Sequence, residues 1–248
     1  MITEHRAVKF EKTAFTSWHT SKYQGQAAHQ EYCQLTGYTQ PQKQQQANPQ
    51  ILTETIGQKI TVRLATSRDA VFAAMITNEM HESAIARGCG ISRRSPADIE
   101  DKMIEGKAII AVTKENEWAG FSYLETYENN EFVSNSGLIV APAFRNCGVA
   151  AAIKQQVFEL SRKLYPHAKI FSITTGGAVM KMNSRLGFEP VTYSEITREE
   201  KFWAGCKSCV NYQTLAGKAY KNCFCTAMLF EPGEETEEEI EIETEHFK

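Results

Sequence analysis

One short stretch constrains the fold most, because it joins a strand, a tight loop and a long helix. Residues 136–142 form an apolar run that is typical of a strand and ends in a proline. Apolar residues then recur at the helical spacing of 3.6 residues over Val149–Leu164. The loop at 145–150 contains a glycine, Gly148, where this helix begins. A strand that leads directly into such a helix indicates a layered fold of mixed α and β elements.

The loop has the residues of an anion-binding turn, Arg-Asn-Cys-Gly-Val-Ala. Backbone N–H groups at the start of a helix carry partial positive charge and bind phosphate groups. Gly148 allows close approach of the backbone, and Arg145 adds a cation that can form paired hydrogen bonds. The loop lacks a P-loop lysine and a G-x-G-x-x-G pattern, which disfavours ATP and dinucleotides. A pyrophosphate site and an ordinary strand-to-helix turn with a capping glycine both remain open.

Elements on both sides of this stretch follow from periodicity and capping residues. Thr66 with Asp69, and Ser95 followed by Pro96, are typical helix starts. Strands are predicted at 60–64, 107–113, 118–126, 169–175, 191–196 and 222–230, and further helices at 68–86, 96–106 and 176–186. The order β α α β β β α β α β β predicts an α+β fold, a sheet with helices on its faces.

The ends of the chain differ in composition from this central region. Residues 1–57 contain scattered aromatic residues and then a glutamine-rich polar stretch, so we interpret them as an N-terminal arm and linker. Residues 231–248 contain nine glutamates and one lysine, and such a block of like charge is typical of a disordered tail. The predicted domain lies between these ends, at residues 58–230. The formal net charge of the whole chain is −3. The basic excess outside the tail is small and dispersed, so no nucleic-acid partner is expected.

Hydropathy and cysteine number indicate a cellular location. No stretch has the apolar length that crosses a bilayer, and residues 1–10 lack the apolar core of a secretory signal. The seven cysteines are odd in number, unlike the even disulfide framework of a small secreted protein. We therefore expect a soluble cytoplasmic protein with no membrane partner. A homodimer is compatible with the sequence, which does not determine the oligomeric state.

Four of the cysteines crowd into a segment near the C terminus, which is predicted to be a hairpin at 202–230. They are Cys206, Cys209, Cys223 and Cys225. Residues two apart on a strand point to the same side, so the second pair could face the first pair. Four thiolates in that arrangement form a tetrahedral structural zinc site. A redox pair and plain packing of buried cysteines are the alternatives.

Four segments in sequence resemble the GNAT superfamily of N-acyltransferases. They read VRLATSRDA, KAIIAVTKENEWAGFSYL, GLIVAPAFRNCGVAAAI and MNSRLGF, and they span residues 62–188. The resemblance implies a splayed, mixed and largely antiparallel central sheet with helices on both faces, and acetyl-CoA as the acyl donor. It also implies a bulge that exposes backbone N–H groups to the acyl carbonyl, next to the pyrophosphate loop. The donor-binding residues implied are Leu138, Ile139, Val140, Arg145, Asn146, Cys147, Gly148, Val149 and Ala150.

The catalytic groups are less clear from this resemblance. The family commonly has a tyrosine four residues before the glycine of its closing Gly-Phe, and here that position is Asn183. Asparagine cannot donate a titratable proton, although its amide could form a hydrogen bond with the sulfur. Ser172, Thr174 and Tyr193 are substitutes. Glu125 and Glu82, together with His81, are candidates for the base that takes the proton of the acceptor amine.

The acceptor is expected near the loop between the first two helices. Arg87, Arg93 and Arg94 surround that loop, and arginines suit an acceptor with a carboxylate. A solvated basic loop would explain them equally well. The cysteine-rich segment also resembles a bacterial GNAT subgroup linked to arginine biosynthesis through N-acylglutamate.

The expected function is transfer of an acetyl group from acetyl-CoA to the primary amine of a small molecule, such as the amino acid glutamate. Two alternatives remain open. One is acetylation of proteins or peptides. The other is a catalytically idle GNAT fold that binds acyl-CoA as a regulatory module.

Overall fold

The central element is one sheet of eight strands, in a computed structural model that describes residues 53–56, 60–88 and 93–233. The strands are β1 Thr53–Ile56, β2 Ile60–Leu64, β3 Ala108–Thr113, β4 Trp118–Tyr127, β5 Phe132–Val140, β6 Lys169–Thr174, β7 Glu189–Val191 and β8 Thr226–Phe230. Their spatial order is β1-β2-β3-β4-β5-β6-β8-β7. The pair β5 and β6 is parallel, and every other neighbouring pair is antiparallel.

Helices connect these strands. They are α1 Ala73–Ala86, α2 Pro96–Ile104, α3 Val149–Leu164, α4 Gly177–Arg185, α5 Glu200–Ala204 and α6 Tyr212–Gly217, with short 3-10 turns at Ser67–Phe72, Pro142–Phe144, Tyr193–Glu195 and Gly205–Ser208. The predicted cap at Ser95 is present, because its Oγ accepts from the Asp98 N–H at 3.1 Å. Asp69 accepts from the Thr66 N–H at 2.8 Å and forms a bidentate pair with Arg63.

The two faces of the sheet carry different helices. Helices α1 and α2 cover one face, where Ile76, Ile99, Met103 and Phe121 are fully buried. The same face continues into an aromatic cluster around Tyr127, Phe171, Trp203 and Leu215, which docks α5 and α6. Helix α3 covers the other face with the predicted apolar stripe, which is buried from Val149 to Leu160. On the same face as α3, Asn183 of α4 contacts Met228 of β8.

The predicted α+β architecture is confirmed, with shifts at several element ends. Strand β1 lies within the range that the sequence assigned to the arm and linker. The predicted C-terminal hairpin consists of two short helices and a loop before β8, because the aromatic side chains of this segment pack onto the sheet. Residues 1–52 and the tail from 234 onward lie outside the described residues, so the predictions for them stay open. Within the described ranges, no helix is long and apolar enough to cross a membrane.

Candidate active site

The sheet opens between its two parallel strands. Strand β5 pairs with β6 only at Phe132↔Lys169, Val133↔Ile170 and Ser134↔Phe171. Beyond this point β6 continues to Thr174 and is paired only with β8, on its other edge. Strand β5 continues to Val140 along β4. Among the strands that the structure describes, none pairs with the second edge of β5 after Ser134. Backbone groups along this edge are therefore available to an extended ligand, and the predicted splay of the sheet is present.

A β-bulge bends β5 inside this opening. Between the pairs Phe121↔Ile139 and Tyr123↔Ser136, β4 contributes one residue and β5 contributes two, Gly137 and Leu138. Gly137 has a φ of +66°, which glycine adopts without strain. The ring of Tyr123 lies directly against it, since a Cβ placed on Gly137 would be 2.6 Å from Cε1 of that ring. The bulge therefore occurs at the start of the predicted donor-binding segment Leu138, Ile139 and Val140.

The predicted phosphate loop joins the end of β5 to α3. Asn146 and Gly148 both have left-handed backbone conformations, with φ of +61° and +86°, and Gly148 is the N-cap of α3. The Gly148 carbonyl accepts from the N–H groups of Ala151 and Ala152. The N–H groups of Val149 and Ala150 precede the first residues that can have an intrahelical acceptor. No acidic residue lies in the first turn of α3, so the positive end of the helix is not neutralised from within it.

Two side chains of this loop are engaged with protein groups. Arg145 donates from Nη2 to Glu79 at 2.5 Å and to Ser83 at 2.6 Å, and from Nε to the Val140 carbonyl at 3.1 Å. Cys147 is buried, with Sγ 3.5 Å from the Arg145 carbonyl oxygen. Arg145 thus ties the loop to α1, and its predicted contact with pyrophosphate remains a prediction.

A pocket of about 220 Å³ lies between α1 and the start of α2, on the face of the sheet opposite to α3. It is lined by Ala74, Thr77, Asn78, Met80, His81, Arg93 and Arg94. Met80 connects this pocket to the bulge, because its Cε lies 3.1 Å from the Cβ position of Gly137. Two of the three predicted acceptor-loop arginines therefore line one pocket. Arg87, at the end of α1, is exposed and does not line it.

The arginines of the pocket have defined partners. Nη2 of Arg93 lies 3.1 Å from Nε2 of His81, and because arginine can only donate, Nε2 is the acceptor. The ring proton of a neutral His81 is then on Nδ1. Nε of Arg94 donates to the Tyr123 hydroxyl at 2.6 Å, and its guanidinium carbon lies 5.7 Å from the centroid of that ring. The pocket wall therefore carries two fixed cations.

The structure separates the two carboxylates predicted as bases. Glu125 is on β4, two residues beyond Tyr123 and thus on the same face of the sheet, with its oxygen 2.6 Å from Lys201 and 3.6 Å from Lys102. Glu82 is exposed on α1 and does not line the pocket. Neither role is tested by these contacts, although Glu125 lies on the same face of the sheet as Tyr123.

Asn183 and the predicted substitutes for the missing tyrosine are buried or hydrogen-bonded to protein groups, and their catalytic roles stay predictions. Asn183 is fully buried, its amide nitrogen lies 3.5 Å from Met228 Sδ, and its Oδ1 has no partner among the described residues. The Tyr193 hydroxyl donates to the Cys225 carbonyl at 2.8 Å, and burial raises the pKa of Tyr193. The Thr174 hydroxyl accepts from the Gly176 N–H at 3.0 Å. Ser172 is buried in β6.

The four C-terminal cysteines line one small apolar cavity, together with Tyr193 and Trp203. The geometry differs from the prediction, because Cys223 and Cys225 lie in the loop before β8 and not on a strand. In the described part of the chain, no three His, Cys, Asp or Glu side chains are placed to hold a metal ion. Burial raises the pKa of Cys206 to about 11 and that of Cys225 to about 12. The zinc prediction is therefore unsupported by the described residues.

A buried lysine that the sequence analysis missed lies beside the opening of the sheet. Lys154 on α3 is 2% exposed, and its Nζ donates to Oδ1 of Asn135 at 3.0 Å and lies 4.7 Å from the Phe188 ring centroid. Asn135 is the first β5 residue beyond the β6 pairing, and its amide donates to Ser161. Burial lowers the pKa of Lys154 to about 7. The sequence did not predict this burial, because lysine is rarely buried and Lys154 lies next to the apolar positions of α3.

The chain has the fold of the GNAT acetyltransferases, as the sequence resemblance implied. The chain is similar to N-acetylglutamate synthase from Neisseria gonorrhoeae, solved with coenzyme A and N-acetyl-glutamate, at a TM-score of 0.50 and 15% identity; the match covers 70% of this chain and 35% of that one. It is also similar to Rv2747 from Mycobacterium tuberculosis, solved with coenzyme A, at a TM-score of 0.50 and 18% identity, covering 68% of this chain and 98% of that one.

These comparisons establish the fold. The chain spans about a third of the length of the Neisseria enzyme. No protein-family model and no curated protein matches the sequence. The donor, the acceptor and the chemistry of this chain therefore have to be argued from its own residues.

Proposed function

We propose that this protein transfers an acetyl group from acetyl-CoA to the primary amine of a small molecule that carries a carboxylate, an amino acid such as glutamate. One observation carries the proposal. The opening of the sheet on one side and the arginine-lined pocket on the other meet at the same bulge, where Gly137 contacts both Tyr123 and Met80. A donor in the opening and an acceptor in the pocket would thus bring thioester and amine together.

The donor is supported by the backbone more than by side chains. The N-terminus of α3 offers the N–H groups of Val149 and Ala150 to a pyrophosphate, without an acidic residue in its first turn. The free edge of β5 extends from there toward the bulge and suits an extended pantetheine arm. N–H groups of Leu138 to Val140 are the candidates to stabilise the oxyanion that develops on the acyl carbonyl.

The acceptor class follows from charge. Arg93 and Arg94 are the ionised side chains that can meet a carboxylate in the pocket, and a hydrogen-bonded arginine–carboxylate pair contributes about 1.5–3 kcal/mol. Protein substrates remain the alternative, as does an idle acyl-CoA-binding module. The buried, non-titrating Asn183 favours the idle module, and the intact loop at the start of α3 fits both an enzyme and an idle module, because both bind acyl-CoA.

Donor binding is tested by calorimetry with acetyl-CoA. Ala150→Glu places a carboxylate in the first turn of α3, where it stabilises the helix but repels a pyrophosphate. Ala178→Glu is the matched control, since Ala178 occupies the corresponding second position of α4. We expect binding in the wild type and in Ala178→Glu, and weaker binding in Ala150→Glu. No binding by the wild type would remove the enzyme and the idle-module proposals together.

The acceptor is tested by release of free thiol from acetyl-CoA. Each amino acid is paired with the amine that lacks its carboxylate, and peptides with free amines are added to the panel. We expect turnover with amino acids only, and an increase in KM of about tenfold or more in Arg93→Gln, from loss of about 1.5–3 kcal/mol. Turnover with peptides alone would support the protein acetyltransferase. Donor binding without turnover of any acceptor would support the idle module.

A further inference from the structure

The reaction needs a group that gives a proton to the departing sulfur, and residue 183 cannot provide it. The phenol at the bulge belongs instead to Tyr123, which comes from β4, whereas the Ser122 hydroxyl there donates to the Ser136 carbonyl. Its ring contacts Gly137, the residue directly before the proposed oxyanion site at Leu138. Only 7% of Tyr123 is exposed, so the surrounding side chains fix its orientation. It therefore adjoins both the proposed acyl site and the acceptor pocket.

Arg94 directs the hydroxyl of Tyr123. Nε of Arg94 donates to the phenol oxygen at 2.6 Å, so that oxygen is an acceptor and its own hydrogen points away from the guanidinium. The guanidinium also lies close to the ring, 5.7 Å from its centroid. A fixed cation at this position stabilises negative charge that develops on the oxygen as a proton leaves.

We propose that Tyr123 protonates the leaving sulfur of coenzyme A and that Arg94 is its positioning residue, an inference that rests on the proposed acetyl transfer. The acceptor nitrogen forms a bond to the thioester carbon, and the carbonyl electrons move to oxygen. As the carbonyl re-forms, the C–S bond breaks and sulfur takes the electron pair and the Tyr123 proton. Tyr123 regains a proton from the nitrogen, directly or through water, and the products are the N-acetyl compound and free coenzyme A thiol.

The other hydroxyls near the opening do not match this geometry. Tyr193 donates to a backbone carbonyl, and Thr174 carries an aliphatic hydroxyl, which is a much weaker acid than a phenol. Tyr127 lies two residues further along β4 on the same face, but its ring packs against Phe171 and Phe202 in the aromatic cluster. Tyr123 is thus the phenol that combines contact with the bulge and contact with a cation.

The test replaces the hydroxyl and keeps the ring. Tyr123→Phe should lower kcat by about 10²-fold or more, the contribution of one general acid, while the dissociation constant of acetyl-CoA stays unchanged. Tyr127→Phe is the matched control, with the same chemical change on the same face of β4, and should retain kcat. Thermal denaturation of both variants verifies that each is folded.

The solvent deuterium isotope effect on kcat separates proton donation from a purely structural role. We expect a normal effect in the wild type and its loss in Tyr123→Phe, with Arg94→Gln lowering kcat in the same direction. A kcat of Tyr123→Phe within about threefold of the wild type, or a loss confined to the KM of the acceptor, would overturn the inference while acetyl transfer itself stands. Absence of acetyl transfer by the wild type to every acceptor would instead refute the proposed function.

Discussion

Replacing Lys154 with methionine tests the electrostatics beside the opening of the sheet. The pKa of Lys154 is lowered from 10.5 to about 7 by burial, so protonation in the folded protein is about 5 kcal/mol less favourable than in the unfolded chain. Below pH 7 both states are protonated, and the full destabilisation is present. Above pH 10.5 both states are neutral, and it vanishes. Between these limits the unfolded chain binds more protons, so the free energy of unfolding rises with pH.

The magnitude can be worked out from these two values. Integration of the linkage relation gives a destabilisation of about 4 kcal/mol at pH 7 and about 2 kcal/mol at pH 9. Lys154→Met removes this term but leaves Oδ1 of Asn135 without its donor, which costs about 1–3 kcal/mol. We therefore expect the variant to be about 1–3 kcal/mol more stable at pH 7 and nearly equal to the wild type at pH 9.

Urea unfolding at pH 7 and at pH 9 measures this difference. The free energy of unfolding of the wild type should rise by about 2 kcal/mol more than that of Lys154→Met. Other titrating groups, including the cysteines, are common to both proteins and cancel in the comparison. Lys163→Met is the control, because Lys163 is exposed on the same helix, and it should follow the wild type. Parallel pH dependence in the wild type and Lys154→Met would refute the reasoning.

Two further predictions concern the bulge and the cysteines. Gly137→Ala should lower the free energy of unfolding by about 2–4 kcal/mol, because alanine is strained in a left-handed conformation and its Cβ would clash with Tyr123. Gly106→Ala, at a φ of +68° with open space around it, should lower it by only about 1 kcal/mol. Equal losses in urea titrations would contradict this. Cys206 and Cys225, with pKa values raised to about 11 and about 12, should be alkylated far more slowly at pH 8 in the folded than in the unfolded protein. Peptide mapping by mass spectrometry measures this, and rapid labelling of the folded protein would speak against buried thiols.

Local patterns were sufficient to predict much of the fold. The helix that begins at Val149 and stops before Pro166 was predicted, because its stripe and the glycine before it are both encoded within one segment. The cap at Ser95 and the hairpin of β3 and β4 are local in the same way. Strand β1 was not predicted because it is a short edge strand whose polar sequence depends on β2 for pairing. The cysteine loop was assigned to a strand because its aromatic packing involves distant residues.

The candidate site shows the same difference between features encoded within one segment and features that depend on distant residues. The donor loop could be proposed from sequence because a backbone turn and a helix start are neighbours in sequence. Tyr123 was missed because its importance depends on contacts with Gly137 and Arg94, residues from two other elements. The burial of Lys154 likewise depends on Asn135 and Phe188, which no helical periodicity reveals.

The contacts of Arg145 also change what the sequence pattern means. Its guanidinium is shared by Glu79 and Ser83 on α1, so much of its charge is already compensated inside the protein. In the proposed function, the attraction for phosphate then comes mainly from the N–H groups at the start of α3, which depend on the left-handed backbone of Asn146 and Gly148. Asparagine and glycine are the residues that tolerate this conformation best. The pattern that predicted a donor site therefore encodes a backbone shape, and its arginine anchors that shape to α1, the helix that lines the arginine-containing pocket.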